Sequence, residues 1–383
     1  MIVLTFFIAV FLKLTLATAT PILSPNEILQ ELLRNCTHFQ VSSYMPACPY
    51  GNYNDVGRPN CGNMEISINF TLQRLLHVDD ANKNFAIAAQ FTAHWFSPCH
   101  SFQIGDTELT LKVDETQFWT PSLIHLNSVA DHAMTSQDAR LFVRTRQPNL
   151  TLIRFFTQRI GVFESNCDLQ FDFFPFDQQN CTVVLVLKER PDITRLKVMS
   201  NGKVDIDPDV TPESSTWQLV ALSLSDSQEI VYSDNRSIAK FSLLLQRNPQ
   251  FYIFNFLLPC LLFNLLSLMA FGLEITDPDR PMLTVTLLLA LAVTHTDISQ
   301  NIPPAPQRNL LSNYADFSMF HSSTIVLYFS VMIFAYRQSQ WLRKNLKWIE
   351  IPVFIGFCFQ VFAINLYLII SIKQSSYTSF FID

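Results

Sequence analysis

From Met64 onward, apolar and polar residues alternate: Met64, Ile66, Ile68, Phe70 and Leu72 are separated by Glu65, Ser67, Asn69, Thr71 and Gln73. A period of two sends one set into a core and the other towards water, so the stretch predicts a half-buried strand. The same parity points Phe70 inward and Asn69 outward. After the polar turn Asp79-Asp80-Ala81-Asn82-Lys83-Asn84, alternation resumes through Phe85, Ile87, Ala89, Phe91, Ala93 and Trp95. Further strands are predicted over 150–155, 182–187, 218–224 and 238–245. Many short strands divided by turn signals predict an all-β sandwich.

The pattern then changes. Residues 248–273, 281–296, 317–336 and 351–372 contain no Asp, Glu, Lys or Arg. The first, third and fourth are long enough for membrane helices, which need about 20 apolar residues. The second is shorter and carries Thr284, Thr286, Thr294, His295 and Thr296. A lone helix of that polarity makes a poor lipid-facing span. It makes sense with one face towards water inside a bundle, or as a packed helix whose hydroxyls are satisfied. The expected fold is therefore an extracellular all-β sandwich (20–250) followed by an all-α four-helix transmembrane domain (251–383). Its spans are expected near 251–272, 281–301, 317–336 and 352–372.

Composition supports a membrane half. Charged residues make up 15% of the chain, against about 25% in soluble domains. An apolar run from Ile2 to Leu12 leads past Lys13 to Ala17-Thr18-Ala19, which suits signal-peptidase cleavage and makes 1–19 a signal peptide. A short uncleaved anchor is the alternative. Five Asn-x-Ser/Thr sequons, at Asn35, Asn69, Asn149, Asn180 and Asn235, all fall before residue 250, as do six of the eight cysteines. That distribution fits a secreted, glycosylated N-terminal half. The linker 337–350 holds Arg337, Arg343, Lys344 and Lys347 against Glu350, as expected for a cytoplasmic segment.

Cys167 and Cys181 enclose thirteen residues around Phe174-Pro175-Phe176-Asp177. This segment resembles the loop that names the Cys-loop receptors, the pentameric ligand-gated ion channels. Trp119-Thr120-Pro121-Ser122 resembles that family's Trp-x-Pro segment. Arg247-Asn248-Pro249-Gln250-Phe251-Tyr252, followed by a span containing Pro259, resembles its first membrane helix. The likeness covers about 64–372 and is closer to the nicotinic acetylcholine receptor branch. It implies a Cys167–Cys181 disulfide, with Pro175, Phe176, Asp177 and Arg247 coupling the two halves and Arg247 pairing with Asp177. It also implies a plasma-membrane location, a small-molecule extracellular ligand, four further subunits (same or related) and contact with membrane lipid. Cys36, Cys48, Cys61 and Cys99 allow two more disulfides in three connectivities.

In the resemblance, the second span lines the pore. Met282, Thr286, Leu289, Val293, Thr296 and Gln300 recur at steps of four and three and so share a helix face. Leu289 matches the family's gate leucine, and an apolar constriction can close by dewetting. Asp279 and Asp297 would form carboxylate rings and favour cations. Pro278 and Arg280 argue for the anion-selective branch instead. The ligand box departs from the acetylcholine type: Leu126 replaces a tyrosine, Lys188-Glu189-Arg190 replaces a tryptophan-bearing stretch, and the adjacent cysteine pair is absent. Tyr232 remains as a ligand contact.

Other function classes lose support. The net charge of −6 and the lack of a basic stripe give no reason to expect nucleic acid. No Gly-x-Ser-x-Gly, His-Glu-x-x-His or phosphate loop is present, so neither an enzyme nor a cofactor or metal is expected. A non-conducting auxiliary subunit remains the rival to a channel subunit.

Overall fold

A computed structural model describes residues 27, 30, 64–97, 109–112, 120–129, 135–147, 150–188, 194–199, 205–206, 216–231, 234–301 and 308–378. The first alternating stretches form β1 (Met64–Asp79) and β2 (Asn84–Ser97), paired antiparallel across the polar turn. Ile66, Ile68, Phe70 and Leu72 are buried on one face, opposite Phe85, Ile87, Ala89, Phe91 and Trp95. A bulge between Leu72 and Arg74 then shifts the parity, which is how Leu75 also joins the core.

β3 (Leu109–Lys112), β5 (Thr135–Gln147) and β6 (Leu150–Asn166) extend this sheet on one side. β8 (Thr194–Val198) and β9 (Asp205–Ile206) pair parallel to β1 on the other. The facing sheet runs β10 (Trp217–Val231), β11 (Asp234–Arg247), β7 (Gln178–Leu187) and β4 (Leu123–His125). The sheets meet through aromatic side chains. Phe70 stacks on Phe241 at 4.7 Å and touches Phe91 and Phe163 at 5.5 and 5.3 Å. Each such buried side chain contributes roughly 1.5–3 kcal/mol by leaving water.

Four helices follow: α1 (Gln250–Gly272), α2 (Asp279–Asn301), α3 (Leu310–Gln338) and α4 (Gln340–Thr378), each long and apolar enough to cross a membrane. Pro259 lacks an N–H to donate, and α1 widens into a π turn at Ile253–Leu257 just before it. Polar contacts fasten the bundle: Asn264 Nδ2 donates to Ser318 Oγ at 2.9 Å, and His321 Nδ1 lies 3.2 Å from Gln360 Oε1.

Two helix limits differ from expectation. α3 starts at Leu310 rather than near 317, because Asn309 caps it by accepting the Ser312 N–H at 2.8 Å. The basic stretch 337–350 is not a separate linker. Only Ser339 leaves the helical conformation, and Arg343, Lys344 and Lys347 form the first turns of α4. Straight-chain basic residues are good helix formers, so charge alone did not end the helix.

Candidate functional site: the sandwich–helix junction

β11 ends at Arg247, three residues before α1 begins, so whatever holds Arg247 also fixes the root of α1. Its guanidinium is almost fully buried. Nε donates to Asp177 Oδ1 at 2.9 Å, Nη1 to Asp80 Oδ2 at 2.7 Å and Nη2 to Asp80 Oδ1 at 3.1 Å. The rings of Trp217 and Phe174 flank it at 4.2 and 4.7 Å. Burial opposes the charge, but the Asp177 and Asp80 carboxylates more than offset it and raise the Arg247 pKa. One cation thus ties together β11, the β1–β2 turn and the loop between β6 and β7.

That loop is closed by a Cys167–Cys181 disulfide. Gln179 braces its interior: Oε1 accepts the Gln170 N–H at 2.9 Å, and Nε2 donates to Asp177 Oδ2 at 2.6 Å and to the Gln170 carbonyl at 2.7 Å. Its tip faces three helices. Phe174 meets Tyr252 of α1 edge-on at 4.7 Å. The N–H groups of Leu310 and Leu311, at the start of α3, reach the carbonyls of Asp172 and Phe174 at 3.0 and 3.3 Å. Ser375 of α4 donates to the Phe176 carbonyl at 2.8 Å. Pro175 is buried and Phe176 half-buried. Displacement of this tip would therefore load the helices directly.

On α2, every residue expected on the pore face is exposed, namely Met282, Thr286, Leu289, Val293, Thr296 and Gln300, and so are Asp279 and Asp297, expected at the two mouths. Leu287, Leu291 and Ile298 are buried on the opposite side against the bundle. The Thr286 and Thr296 hydroxyls donate back to the Met282 and Val293 carbonyls at 2.8 and 2.7 Å. Their protons are thereby engaged, and oxygen lone pairs face outward. Arg280 departs from expectation. It does not flank Asp279 at the helix mouth but turns inward, wholly buried, to Glu350 of α4. A helix rotates about 100° per residue, so neighbours in sequence can meet different surroundings. At the other end of α2, His295 Nε2 contacts Asp316 Oδ1 at 2.9 Å, and Arg308 holds the second oxygen at 2.6 Å.

Around the expected ligand side, Leu126 is held in place by its N–H to the Val184 carbonyl at 2.8 Å, and the Lys188 carbonyl accepts from Arg236. Tyr232 lies outside the described residues, as do Asn35, Asn149, Trp119, Cys36, Cys48, Cys61, Cys99 and the segment 1–19. Of the other sequons, Asn180 and Asn235 are exposed and Asn69 is half-buried. Sequence reasoning named Arg247 and Asp177 but missed Asp80, Gln179, Trp217, Ser375 and Glu350. The paired acids of the β1–β2 turn were the available signal for Asp80. Nothing local marks Ser375.

Comparison with known proteins agrees with this geometry. The chain is 26% identical over 276 residues to the neuronal acetylcholine receptor subunit beta-4 of Gallus gallus, covering 70% of this chain and 56% of that protein. It is 26% identical over 279 residues to the Homo sapiens subunit of the same name, covering 70% and 53%. It is 24% identical over 319 residues to the acetylcholine receptor subunit beta-type acr-2 of Caenorhabditis elegans, covering 80% and 53%. The chain therefore spans about half the length of the curated relatives it matches. Residues 49–249, more than half of the chain, match the family described as the neurotransmitter-gated ion-channel ligand binding domain, a family of receptors rather than enzymes. With a disulfide-closed loop seated on three of its four membrane-length helices, the chain belongs to that neurotransmitter-gated ion-channel family.

Proposed function

We propose that this chain is one subunit of a pentameric ligand-gated ion channel in the plasma membrane, with residues 20–250 outside the cell and 251–383 forming the membrane domain. Four further subunits, same or related, complete the pore. A small extracellular ligand shifts the sandwich, and the Cys167–Cys181 loop with Arg247 passes that motion to α1, α3 and α4. The observation that carries this reading is the junction, where Arg247 is shared between Asp177 and Asp80 at the root of α1. A cluster buried to that degree deforms little, so it can carry a displacement of the sandwich to the root of α1 as a unit.

The α2 face from Met282 to Gln300 lines the pore, with Leu289 and Val293 as the dewetting constriction. Cation preference is favoured by Asp279 and Asp297 on that face and by the outward oxygens of Thr286 and Thr296. Withdrawal of Arg280 from the mouth removes one of the two arguments for anions and leaves Pro278 as the other. The ligand is not expected to be a quaternary ammonium held in an aromatic box, given Leu126 and Lys188; Tyr232 is the retained contact. A second reading, an auxiliary subunit that assembles without forming its own ligand box, is favoured by those same two residues.

Current recording from cells expressing the chain alone, and with nicotinic-type partner subunits, across a ligand panel separates the two. Ligand-evoked current from the chain alone supports the pore-forming reading. Surface assembly with partners, but no change in their conductance or ligand response, rejects it. After most external sodium chloride is replaced by an impermeant-cation chloride salt, the reversal potential should move strongly negative. A reversal potential that tracks chloride would overturn cation selectivity.

A further inference from the structure

Asp279 and Arg280 are adjacent and opposite in charge, yet they meet different surroundings. Asp279 is exposed at the start of α2, whereas the Arg280 side chain is buried in the bundle. Arg280 stands at the foot of the packed stripe that continues through Thr284, Leu287 and Leu291. Its guanidinium lies over the Phe329 ring at 4.2 Å and near Phe271 at 5.6 Å, so α1 and α3 wall it in. Nη1 is 2.8 Å from Glu350 Oε1, on the first turns of α4. No guanidinium nitrogen has a well-aligned hydrogen-bond acceptor, so the Glu350 contact acts through charge. Among the described residues Glu350 is its counter-charge, and a buried cation is costly to leave unpaired.

We propose that Glu350 is a specificity-determining residue of the pore, although it sits on the helix furthest in sequence from α2. By neutralising Arg280 inside the bundle, it keeps five positive charges away from the ring of Asp279 carboxylates. Without the Glu350 carboxylate, the long arginine side chain gains hydration by swinging out beside Asp279. There it cancels the field that concentrates cations. Glu350 is a positioning residue: it acts through Arg280 and touches no permeating ion.

This rests on the cation-channel reading above, and the test separates the two. The full chain is expressed as a conducting receptor, and the sodium-to-chloride permeability ratio is taken from reversal potentials. Glu350→Gln should lower that ratio by about threefold or more, a loss of field at the mouth. Adding Arg280→Gln to Glu350→Gln should restore the ratio, because the released charge is gone. A fall in surface expression with an unchanged ratio would mean a merely structural pair and overturn the proposal. So would a double variant no better than Glu350→Gln alone. If the unmodified receptor passes no selective cation current, the channel reading fails, and the clamp is judged by geometry. In that case Arg280→Cys with Glu350→Cys, in the full chain in membranes, should be joined by a short bifunctional thiol reagent and mapped as a linked peptide. Asp279→Cys with Glu350→Cys should not be joined, and equal linking of both pairs would overturn the clamp.

Discussion

Ser375, near the end of α4, donates its hydroxyl to the backbone carbonyl of Phe176 at 2.8 Å, across 199 residues of chain. The last helix is thereby hydrogen-bonded to the tip of the disulfide loop, whose other flank holds Arg247 through Asp177. α4 is less buried within the bundle than the other helices and exposes Phe359 and Phe362. A polar tie near its end therefore matters more than it would on a packed helix.

Replacing Ser375 with Ala removes one neutral hydrogen bond, worth about 1 kcal/mol. If that bond is stronger in the open state, the half-maximal ligand concentration should rise by up to about fivefold, with surface expression retained. Concentration–response curves against surface labelling check this. An unchanged curve would confine the tie to stability.

Arg247 is more tightly coupled. Removing one partner of a buried ion pair costs about 3–5 kcal/mol, so Arg247→Ala should abolish most surface receptor or most ligand-evoked current. Asp177→Asn should be milder, because Asp80 still faces the guanidinium. In a double-mutant cycle, Arg247→Gln and Asp177→Asn should be strongly non-additive, measured as folded receptor by size-exclusion chromatography. Strict additivity would reject the pairing.

His94 supplies a pH test of the sandwich. Burial first, and then the nearby Arg154 charge, push its pKa down from 6.5 to about 4. Arg154 Nη2 donates to Nδ1 at 2.9 Å, which requires that nitrogen to be unprotonated. Between pH 6.5 and about 4 the unfolded chain holds a proton that the folded chain refuses. Stability should therefore fall as pH drops through that window, level off below it and show no His94 contribution above it. His94→Gln keeps an acceptor without the titration. Its Tm should fall less between pH 7 and pH 4 than that of the unmodified chain.

Leu289 tests the proposed gate. Its side chain is 66% exposed on the α2 face, so a polar replacement costs little in packing within this chain. Leu289→Ser should hydrate the constriction and produce current without ligand, seen as a standing conductance removed by a pore blocker. The same change at buried Leu291 should instead reduce surface expression.

The period-two runs and the charge-free stretches sufficed to establish a strand sandwich followed by membrane helices, since burial periodicity is a local property of the chain. The spacing of Cys167, Phe174, Pro175, Asp177 and Cys181 was likewise legible, because the loop is contiguous. The family resemblance named Asp177 as a partner of Arg247, but the sequence did not determine the other charge partners. Asp80 and Asp79 are equivalent as neighbours in a turn. Only the fold sends Asp80 to Arg247 and leaves Asp79 to accept the Ala81 and Asn82 N–H groups. Arg280 read as a charge at the pore mouth beside Asp279. Tertiary packing turned it inward, because Phe271, Phe329 and Glu350, each from a different helix, converge on one point. Hydrophobic pattern is written residue by residue along the chain. The pairing of buried charges depends on distances between segments far apart in sequence, and only the assembled tertiary structure fixes those.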